Sequence, residues 1–418
     1  MHFSLNPKMS NKNNKKKILL LVPSNDGTIA FVSYNLYDAF LKTPNVEVKV
    51  ALIYKFSDKD LSALGKGFSF EDSYSFSSNQ VSGLRKQFSF FRMIFWLRKI
   101  KKEFKPDMTI STLNACSTIN VLSGCSDFKI GLFQSPHFQS KVLGHLIYWQ
   151  NIFSYGFIFP LLDNLFCISQ EVSNSILHSF PLINKKKVEV VYSVHNVLSI
   201  EKLASDELDE LEMKYFKGNV ILYCGKLESN KAPERLVKAF GIIKDVLPKD
   251  TQLVFIGEDK NYYDKKQNYW TEIIPLLNHY KITDRVHYLG MKENIYKYMS
   301  RAKVVVSSSY SEGLPGVHIE SLIVGTPVIS TNSSQGVWEI LSCNDKYNKE
   351  LDGFFVADNG IICSNLSFND TTKYNVDIQN MAYAIEYVLN NKLAKNDFLF
   401  KEKILAKNVV SKYLKKIQ

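Results

Sequence analysis

Two glutamates flank a glycine-rich turn in the second half of the chain. Glu312 and Glu320 stand at either end of the segment EGLPGVHIE, which follows the apolar run VVV and three serines. An apolar strand, a turn with two glycines and a helix start form a pattern that binds phosphate groups. We therefore expect the helix start at Gly316, Val317 and His318 to hold a diphosphate, because free backbone N–H groups and the positive end of the helix dipole meet there.

The spacing of the two glutamates limits the chemistry that they could share. Eight helical steps would separate them by at most about 12 Å. That distance is too long for two carboxylates that share one proton or one water, but it suits groups at opposite ends of a diphosphate. From spacing alone, a solvated acid on a loop and another on an amphipathic helix are an equal alternative.

Two lysines follow the predicted strand at residues 220–223. Lys226 and Lys231 lie in the segment CGKLESNK, just before a predicted helix at residues 233–246. Charge-assisted hydrogen bonds to phosphate are among the stronger polar contacts, so these lysines are candidates for neutralising phosphate oxygens. Solvated loop lysines are the alternative, and they are common in a chain with 52 Lys and Arg.

Other candidate site residues also follow predicted strands. His137, in the segment QSPH, could donate a hydrogen bond or a proton to a sugar or phosphate oxygen, although a structural histidine is the alternative. Asp26 and Gly27 follow the first strand, where a glycine would let the backbone approach a ligand. Gly290 follows another strand and could face a nucleotide base.

Several classes of protein lack support in the sequence. GxGxxG and GxxxxGK[ST] are absent, so neither a nicotinamide cofactor nor a P-loop is expected. The six cysteines are scattered without a CxxC pair, which argues against a structural zinc or a disulfide framework and favours a reducing cytosol. No recognised nucleic-acid module is visible, so we expect no nucleic-acid partner.

Strands and helices alternate along the chain, which is typical of α/β folds with parallel sheets. The length of 418 residues suits two domains rather than one compact core. We predict two doubly wound parallel-sheet domains that face one cleft, with ligands at the carboxyl ends of the strands. The predicted strands are residues 18–22, 46–54, 108–111, 129–133, 164–168, 188–192, 220–223, 252–256, 286–289, 304–306 and 327–330.

Charge and aromatic residues point to an anionic partner. The formal net charge is +11, which favours phosphate-bearing molecules or an acidic membrane face. The predicted helix 83–104 mixes Arg and Lys with Phe and Trp. This mixture is typical either of a core-facing helix with a basic outer side or of a docking face for anionic lipid.

Residues 142–162 are interrupted by polar residues, which predicts an aromatic-rich helix rather than a membrane span. Residues 56–82 are predicted to be an irregular insertion.

Several segments of the chain resemble those of a known family. The segment EGLPGVHIE is similar to the E-x7-E motif of retaining GT-B-fold glycosyltransferases, the group 1 family that acts on nucleotide sugars. The segments CGKLESNKAPERLVKAF and LVFIGED, and residues 284–331, resemble the same family, as do Gly336 and Glu339. In the first half the resemblance is thinner and rests on KPDMTIS, SPH and LLDNLFCIS.

The resemblance implies a role for each candidate residue. Lys226 and Lys231, with the helix start at residues 316–318, would bind the diphosphate of a UDP- or GDP-sugar. Glu320 would bind the ribose, and Glu312 would face the transferred sugar and stabilise its developing positive charge. His137 would contact the sugar from the acceptor domain. Gly290 would contact the nucleotide base, and Asp26 and Gly27 would belong to an acceptor-side loop.

The resemblance, together with the charge, the aromatic helix and the scattered cysteines, leads us to expect an organisation, partners and a location. Residues 1–194 would be the acceptor-binding domain with a disordered tail at 1–16, residues 195–400 the donor-binding domain, and residues 401–418 a helix that packs toward the first domain. The family works without metal or another cofactor. A glycan or lipid-linked acceptor in cell-surface polysaccharide synthesis is expected, with a cytoplasmic location and a peripheral contact at the inner face of the cell membrane.

Two departures from the family pattern leave alternatives open. Lys226 stands where the family usually has Arg, so bidentate binding of phosphate is lost. The glycine pair expected after the first strand is reduced to Asp26 and Gly27. A GT-B sugar-nucleotide epimerase and a non-catalytic nucleotide-sugar or glycan-binding protein are therefore the competing hypotheses.

Overall fold

A computed structural model gives the fold. It describes residues 15–25, 27–55, 69–71, 73–77, 84–134, 153–259, 268–342, 347–391, 398 and 400–418. Asp26 and His137, both predicted site residues, lie outside the described residues, and so do residues 1–14 of the predicted tail.

The first half of the chain forms a seven-stranded sheet with helices on both faces. All its neighbouring strands pair in parallel, in the order β3-β2-β1-β4-β5-β6-β7. The strands are β1 Lys16–Ser24, β2 Val46–Tyr54, β3 Ser73–Ser77, β4 Met108–Thr112, β5 Phe128–Phe133, β6 Asn164–Cys167 and β7 Val188–Val190. The helices are α1 Gly27–Leu41, α2 Leu84–Phe104, α3 Leu113–Leu122 and α4 Gln170–Ser179.

The second half forms another seven-stranded sheet, in the order β10-β9-β8-β11-β12-β14-β13. Only the hairpin β13–β14 is antiparallel among its described pairs. The strands are β8 Val220–Cys224, β9 Gln252–Ile256, β10 Val286–Tyr288, β11 Val304–Ser307, β12 Val328–Thr331, β13 Phe354–Ala357 and β14 Gly360–Cys363. The helices are α5 Val197–Ala204, α6 Glu210–Met213, α7 Pro233–Ile243, α8 Trp270–Tyr280, α9 Tyr296–Met299, α10 Gly316–Ile323, α11 Gln335–Leu341, α12 Tyr374–Asn390, α13 Lys401–Ile404 and α14 Ala406–Leu414.

The strand β1 shows why these sheets are parallel and covered on both sides. Its residues Ile18, Leu20 and Val22 belong to the apolar core on one face of the sheet, whereas Leu19 and Leu21 belong to the core on the other. A strand that is buried on both faces has a continuous apolar sequence, and helices must cover both sides of its sheet. The predicted pair of doubly wound α/β domains is thereby confirmed.

Two local predictions need correction. Residues 56–82 are not irregular throughout, because Ser73–Ser77 is an edge strand parallel to β2. Lys16, placed in the tail, is the first residue of β1. By contrast, the part of 142–162 that the structure describes is helical as predicted, with a π-helix, Ser154–Ile158, followed by a 3-10 turn, Phe159–Leu161.

The end of the chain returns to the first sheet. Tyr413, on α14, is fully buried, and its ring lies 5.7 Å from that of Phe40 and 4.8 Å from that of Phe166. The chain therefore passes from the first sheet to the second and then returns to the first. The domain limits at residues 194 and 400 remain predictions.

A buried ion pair joins α7 to α12 in the second domain. Arg235 and Asp377 are both fully buried, with Nη2 3.2 Å from Oδ2. Nη1 of Arg235 also donates to Oδ1 of Asn365 at 2.8 Å and to the carbonyl of Ser308 at 3.3 Å. The guanidinium lies over the ring of Tyr310, 4.8 Å from its centroid. These contacts fix the loop that follows β11.

Removal of this guanidinium should be strongly destabilising. Arg235→Met leaves the Asp377 carboxylate buried without its cation, so we expect the free energy of unfolding of the second domain to fall by about 3–5 kcal/mol. The matched control is Lys401→Ala, which breaks an exposed 3.1 Å pair with Glu201 and should cost less than about 1 kcal/mol. Urea unfolding followed by tryptophan fluorescence measures both. Equal losses would contradict the role given to Arg235.

Candidate active site

The predicted site residues of the second domain lie at one edge of its sheet. The loop with Lys226 and Lys231 follows β8, and the loop with Glu312 follows the adjacent parallel strand β11. Gly290 follows β10 at the same edge. Carboxyl ends of parallel strands are where open α/β sheets bind ligands, so the topology brings these three loops to a common surface.

Lys231 and Glu312 form a direct ion pair. Nζ of Lys231 lies 2.6 Å from Oε1 of Glu312, and the same oxygen accepts a hydrogen bond of 2.7 Å from Oγ of Ser309. The side chain of Glu312 is 14% exposed and that of Lys231 27%. The sequence placed both residues in the site but did not predict that they touch, because 81 positions separate them.

The loop of Lys226 is packed tightly against the loop after β9. A Cβ at Gly257 would lie only 1.7 Å from the carbonyl oxygen of Gly225, so a side chain there is excluded. The hydroxyl of buried Tyr223 donates to the carbonyl of Lys226 at 2.8 Å. The Lys226 ammonium is about half exposed and lies 3.8 Å from Oε2 of Glu258.

Helix α10 begins close to where the sequence predicted a phosphate site. Its first residue is Gly316, and Pro315, at the N-cap, supplies no side-chain cap. Since a helix start presents unpaired N–H groups, this end has the features of an anion site. Gly325 ends the helix region with φ of +81°, in the left-handed range that suits glycine.

The side chain of His318 does not face the cleft. It is fully buried, and neither ring nitrogen has a hydrogen-bond partner among the described residues. Burial lowers the pKa of its imidazole to about 3, and the nearby Lys231 acts in the same direction. The ring is therefore neutral at physiological pH. The backbone N–H of His318 donates to the carbonyl of Pro315 at 3.2 Å, and the role of His318 in donor binding remains a prediction.

Glu320 is a buried carboxyl on α10. It is 6% exposed, and its Oε1 accepts a hydrogen bond of 3.4 Å from the hydroxyl of Tyr296. Burial raises the pKa of Glu320 to about 7, while the Tyr296 hydrogen bond opposes the shift. A buried acid with one neutral donor retains unused acceptor capacity, as a ribose-binding group requires.

Two glycines occupy conformations that favour glycine. Gly27 opens α1 directly after β1 with φ of +78°, and Gly290 has φ of +71° at the end of β10. The carbonyl of Gly290 accepts from the N–H of Gly257 at 3.0 Å. This bond connects the predicted base-binding loop to the loop that packs on Gly225.

Two carboxylates cross the boundary between the two sheets. Oε2 of Glu171 on α4 accepts from the N–H of Gln335 at the start of α11, at 2.6 Å. Conversely, Oε1 of Glu339 on α11 accepts from the N–H of Gln170 at the start of α4, at 2.9 Å, and its Oε2 accepts from the hydroxyl of Tyr192 at 2.7 Å. Each helix start thus receives a carboxylate from the other helix, which is favourable for both dipoles.

Sequence reasoning missed several residues of this arrangement. Ser309 and Arg235 were not singled out, and Glu339 was noted only by resemblance. The signal for Arg235 was present, since the charge falls on the apolar face of an otherwise amphipathic helix, PERLVKAF. Ser309 and Glu171 carried no comparable signal.

No group of three or more His, Cys, Asp or Glu side chains that could hold a metal ion occurs in the described part of the chain. Among the helices of that same part, none combines the length and apolarity needed to cross a membrane.

Comparison with known proteins identifies the class of the fold. The crystal structure of Anabaena Alr3699/HepE in complex with UDP and glucose superimposes with a TM-score of 0.63 at 14% identity, over 96% of this chain and 99% of that one. At this identity the likeness shows the fold alone. Two Rossmann-like domains of this kind form the GT-B architecture of glycosyltransferases.

The sequence comparisons are more specific. Residues 206–361, which contain Lys226, Lys231, Glu312 and Glu320, match the family model described as glycosyl transferases group 1. An uncharacterised glycosyltransferase of Methanocaldococcus jannaschii is 26% identical over 300 residues, 69% of this chain and 70% of the relative. A Campylobacter jejuni protein named GalNAc-alpha-(1->4)-GalNAc-alpha-(1->3)-diNAcBac-PP-undecaprenol alpha-1,4-N-acetyl-D-galactosaminyltransferase is 28% identical over 61% of this chain and 63% of its own length. These findings support the group 1 glycosyltransferase family and a glycosyltransferase activity.

The contact between the sheets carries a pH dependence that can be measured. Burial raises the pKa of Glu171 to about 7, and the Glu339 carboxylate raises it further, whereas the Gln335 N–H and Lys349 oppose the shift. Tyr347 also faces this carboxyl. Glu171 therefore binds a proton more tightly in the folded protein than in the unfolded chain. Its contribution favours folding below about pH 4.5 and is lost as the pH rises through about 7.

Glu171→Gln keeps an acceptor for the Gln335 N–H but removes the titration. Between about pH 5 and pH 7.5 we expect the parent to lose about 1–3 kcal/mol more free energy of unfolding than this variant. Urea unfolding at a series of pH values measures the difference. Glu201→Gln, at an exposed position, is the control and should follow the parent. Parallel curves for Glu171→Gln and the parent would contradict the assignment.

Proposed function

We propose that the protein is a retaining, metal-independent glycosyltransferase that moves a sugar from a UDP- or GDP-sugar to a glycan or lipid-linked acceptor. One observation carries the proposal. The Lys231–Glu312 pair of 2.6 Å lies at the carboxyl edge of the second sheet, within the residues that match the glycosyltransferase model. A carboxylate for the sugar and a cation for its leaving group thus occupy adjacent positions.

The donor diphosphate would be held by cations and by a helix dipole. Lys231 and Lys226 would neutralise phosphate oxygens, and the uncapped start of α10 at Gly316 would donate backbone hydrogen bonds. Buried Glu320 would accept hydrogen bonds from the ribose hydroxyls. With two ammonium groups and a helix dipole beside the leaving group, no metal ion is needed to stabilise its charge.

Glu312 would act on the sugar itself. When the bond to the diphosphate breaks, positive charge develops at the anomeric carbon, and a fixed carboxylate stabilises it. The diphosphate leaves with the bonding electron pair, and the acceptor hydroxyl forms the new glycosidic bond and gives its proton to the departing diphosphate. Retention of configuration is the stereochemistry that the family resemblance implies. His137 would contact the sugar from the first domain.

The acceptor side of the proposal rests on the relatives. The Campylobacter jejuni relative carries a PP-undecaprenol-linked glycan in its name, and this supports a lipid-linked acceptor and a place in cell-surface polysaccharide synthesis. The Campylobacter jejuni relative is named as a transferase, so the epimerase and binding-protein hypotheses are less favoured. A thermal-shift screen of UDP- and GDP-sugars, followed by transfer assays on lipid-linked glycans, identifies donor and acceptor.

Variants of the two glutamates test the assignment of roles. Glu312→Gln should lower the rate of sugar transfer about 10²–10³-fold while the dissociation constant of the donor stays within about twofold, because the lost carboxylate acts mainly on the transition state. Glu320→Gln should weaken donor binding about 10–100-fold, since an amide NH2 group replaces one of the two acceptor oxygens that face the ribose hydroxyls. Calorimetry and a radiolabelled-sugar transfer assay separate the two effects. Glu201→Gln, on the surface of α5, is the matched control.

Two outcomes would reject this site. The first is a Glu312→Gln protein that transfers sugar at the parental rate. The second is detection of a product in which an altered sugar is still attached to the nucleotide, because such a product requires epimerisation rather than transfer.

A surface of the first domain supports the proposed contact with an anionic membrane. Phe91 and Phe95, one turn apart on α2, are 62% and 68% exposed, and Phe153 and Phe157 are 57% and 64% exposed. Helix α3 contacts both of the elements that carry these rings, since Oγ1 of its Thr118 lies 3.4 Å from Oγ of Ser154 and the helix also packs against α2. Exposed cations of α2 stand among these rings: Arg92, Arg98, Lys99 and Lys102.

Exposed aromatic rings among cations suit the boundary between lipid headgroups and acyl chains. Phe91→Ser combined with Phe95→Ser should reduce binding to vesicles of phosphatidylcholine and phosphatidylglycerol by about tenfold or more. The control replaces Leu198 and Leu211, strongly exposed leucines of the second domain, by serine. Vesicle flotation measures binding. Equal binding of the parent to neutral and anionic vesicles would contradict the membrane proposal.

A further inference from the structure

The carboxylate of Glu312 receives two hydrogen bonds on one oxygen. Oε1 accepts from Nζ of Lys231 at 2.6 Å and from Oγ of Ser309 at 2.7 Å. One partner is a cation at the end of a long side chain, and the other is a neutral hydroxyl on a short one. The two partners therefore differ in how far they can move and in what other groups they attract.

The direction of the serine hydrogen bond follows from its acceptor. An ionised carboxylate only accepts, and a hydroxyl has one hydrogen to donate. The hydrogen of Ser309 is therefore committed to Glu312. Ser307, whose Oγ lies 3.4 Å from that of Ser309, must then be the donor in the contact between the two serines. The three side chains form a directed series that ends at Glu312.

Ser309 is held rigidly in place. It is 2% exposed, and its carbonyl accepts from the hydroxyl of Thr331 on β12 at 2.5 Å. On either side, the hydroxyl of Ser308 donates to the carbonyl of Lys231 at 3.0 Å, and the N–H of Tyr310 donates to the carbonyl of Asn230 at 2.8 Å. The backbone at Ser309 is thus fixed by contacts that do not involve its own hydroxyl.

Lys231 is the partner that can turn away. Its side chain is 27% exposed, and an ammonium on a flexible four-carbon stem can choose among anions within reach. A diphosphate at the start of α10 would carry more negative charge than one carboxylate and would compete for this cation. When Lys231 turns to the phosphate, Glu312 loses its strongest contact.

We propose that Ser309 is a positioning residue, which holds the Glu312 carboxylate toward the sugar once Lys231 engages the donor diphosphate. This inference rests on the proposed function, because it takes Glu312 as the carboxylate that stabilises the reacting sugar. The hydroxyl does not touch the substrate. It acts by keeping Oε1 in place, and small displacements of a reacting group cost large factors in rate.

Ser309→Ala removes the hydroxyl and should leave the fold intact, since the fixing contacts of this loop are made by the backbone and by neighbouring residues. We expect kcat to fall about 10–100-fold, whereas the dissociation constant of the UDP- or GDP-sugar, measured by calorimetry, stays within about twofold. Ser309→Thr keeps the hydroxyl and should recover most of the rate. A merely structural role would not separate kcat from donor affinity in this way.

The matched control is Ser330→Ala. Ser330 is also a fully buried serine, and its hydroxyl donates to the backbone carbonyl of Thr331 on β12 at 3.0 Å rather than to Glu312. Its kcat should stay within about twofold of the parent, because no reacting group depends on that hydrogen bond. If Ser309→Ala is too unstable to assay, Ser309→Cys offers nearly the same size with a weak donor and should also lower kcat selectively.

The outcomes separate this inference from the proposed function. Parental kcat in Ser309→Ala, together with lost transfer in Glu312→Gln, would overturn the positioning role and leave the function standing. A higher dissociation constant for the donor with unchanged kcat would also overturn it. Parental transfer by Glu312→Gln would instead reject the proposed site itself, before Ser309 is considered.

Discussion

A single buried guanidinium sets the geometry of the second domain at its candidate site. Arg235 has no access to solvent, so its charge must be satisfied by Asp377, Asn365, the carbonyl of Ser308 and the ring of Tyr310. A buried charge tolerates little movement of its partners, because each lost contact exposes an uncompensated desolvation cost. The contacts of Arg235 therefore fix the loop after β11, and they also limit the positions of the residues that follow this loop.

In front of that loop, each lysine predicted to bind phosphate lies beside a glutamate. Lys231 is 2.6 Å from Glu312, and Lys226 is 3.8 Å from Glu258. The site therefore carries cations whose charge is already partly balanced by carboxylates. An arriving diphosphate exchanges partners with these carboxylates rather than meeting isolated positive charge. Such an exchange favours ligands that bring at least two negative charges, since a neutral ligand cannot compete for the ammonium groups.

Much of the fold could be predicted because its signals are local. The apolar run of β1 predicts a strand buried on both faces, and the glycines after β8 and β9, Gly225 and Gly257, lie at the carboxyl edge. The strand β3 was missed because SYSFS at a sheet edge has no continuous apolar run. The sequence could place Lys226, Lys231 and Glu312 on loops that follow strands, but it could not predict the contacts between them. Asn365 joins Arg235 across 130 positions, and only the folded topology brings such partners together.

The short helix α11 has a consequence for chimeric enzymes. A Cβ at Gly336 would lie 2.3 Å from the carbonyl of Gly313, and the N–H of Glu312 donates to the carbonyl of Ser333 at 3.3 Å. The same helix receives Glu171 at its first N–H. A foreign first domain joined between β7 and α5 would therefore disturb the loop that carries Glu312, unless the foreign domain placed a carboxylate where Glu171 lies. Whether two exchanged domains are compatible therefore depends on their contacts at α11 rather than on the residue at which the two sequences are joined.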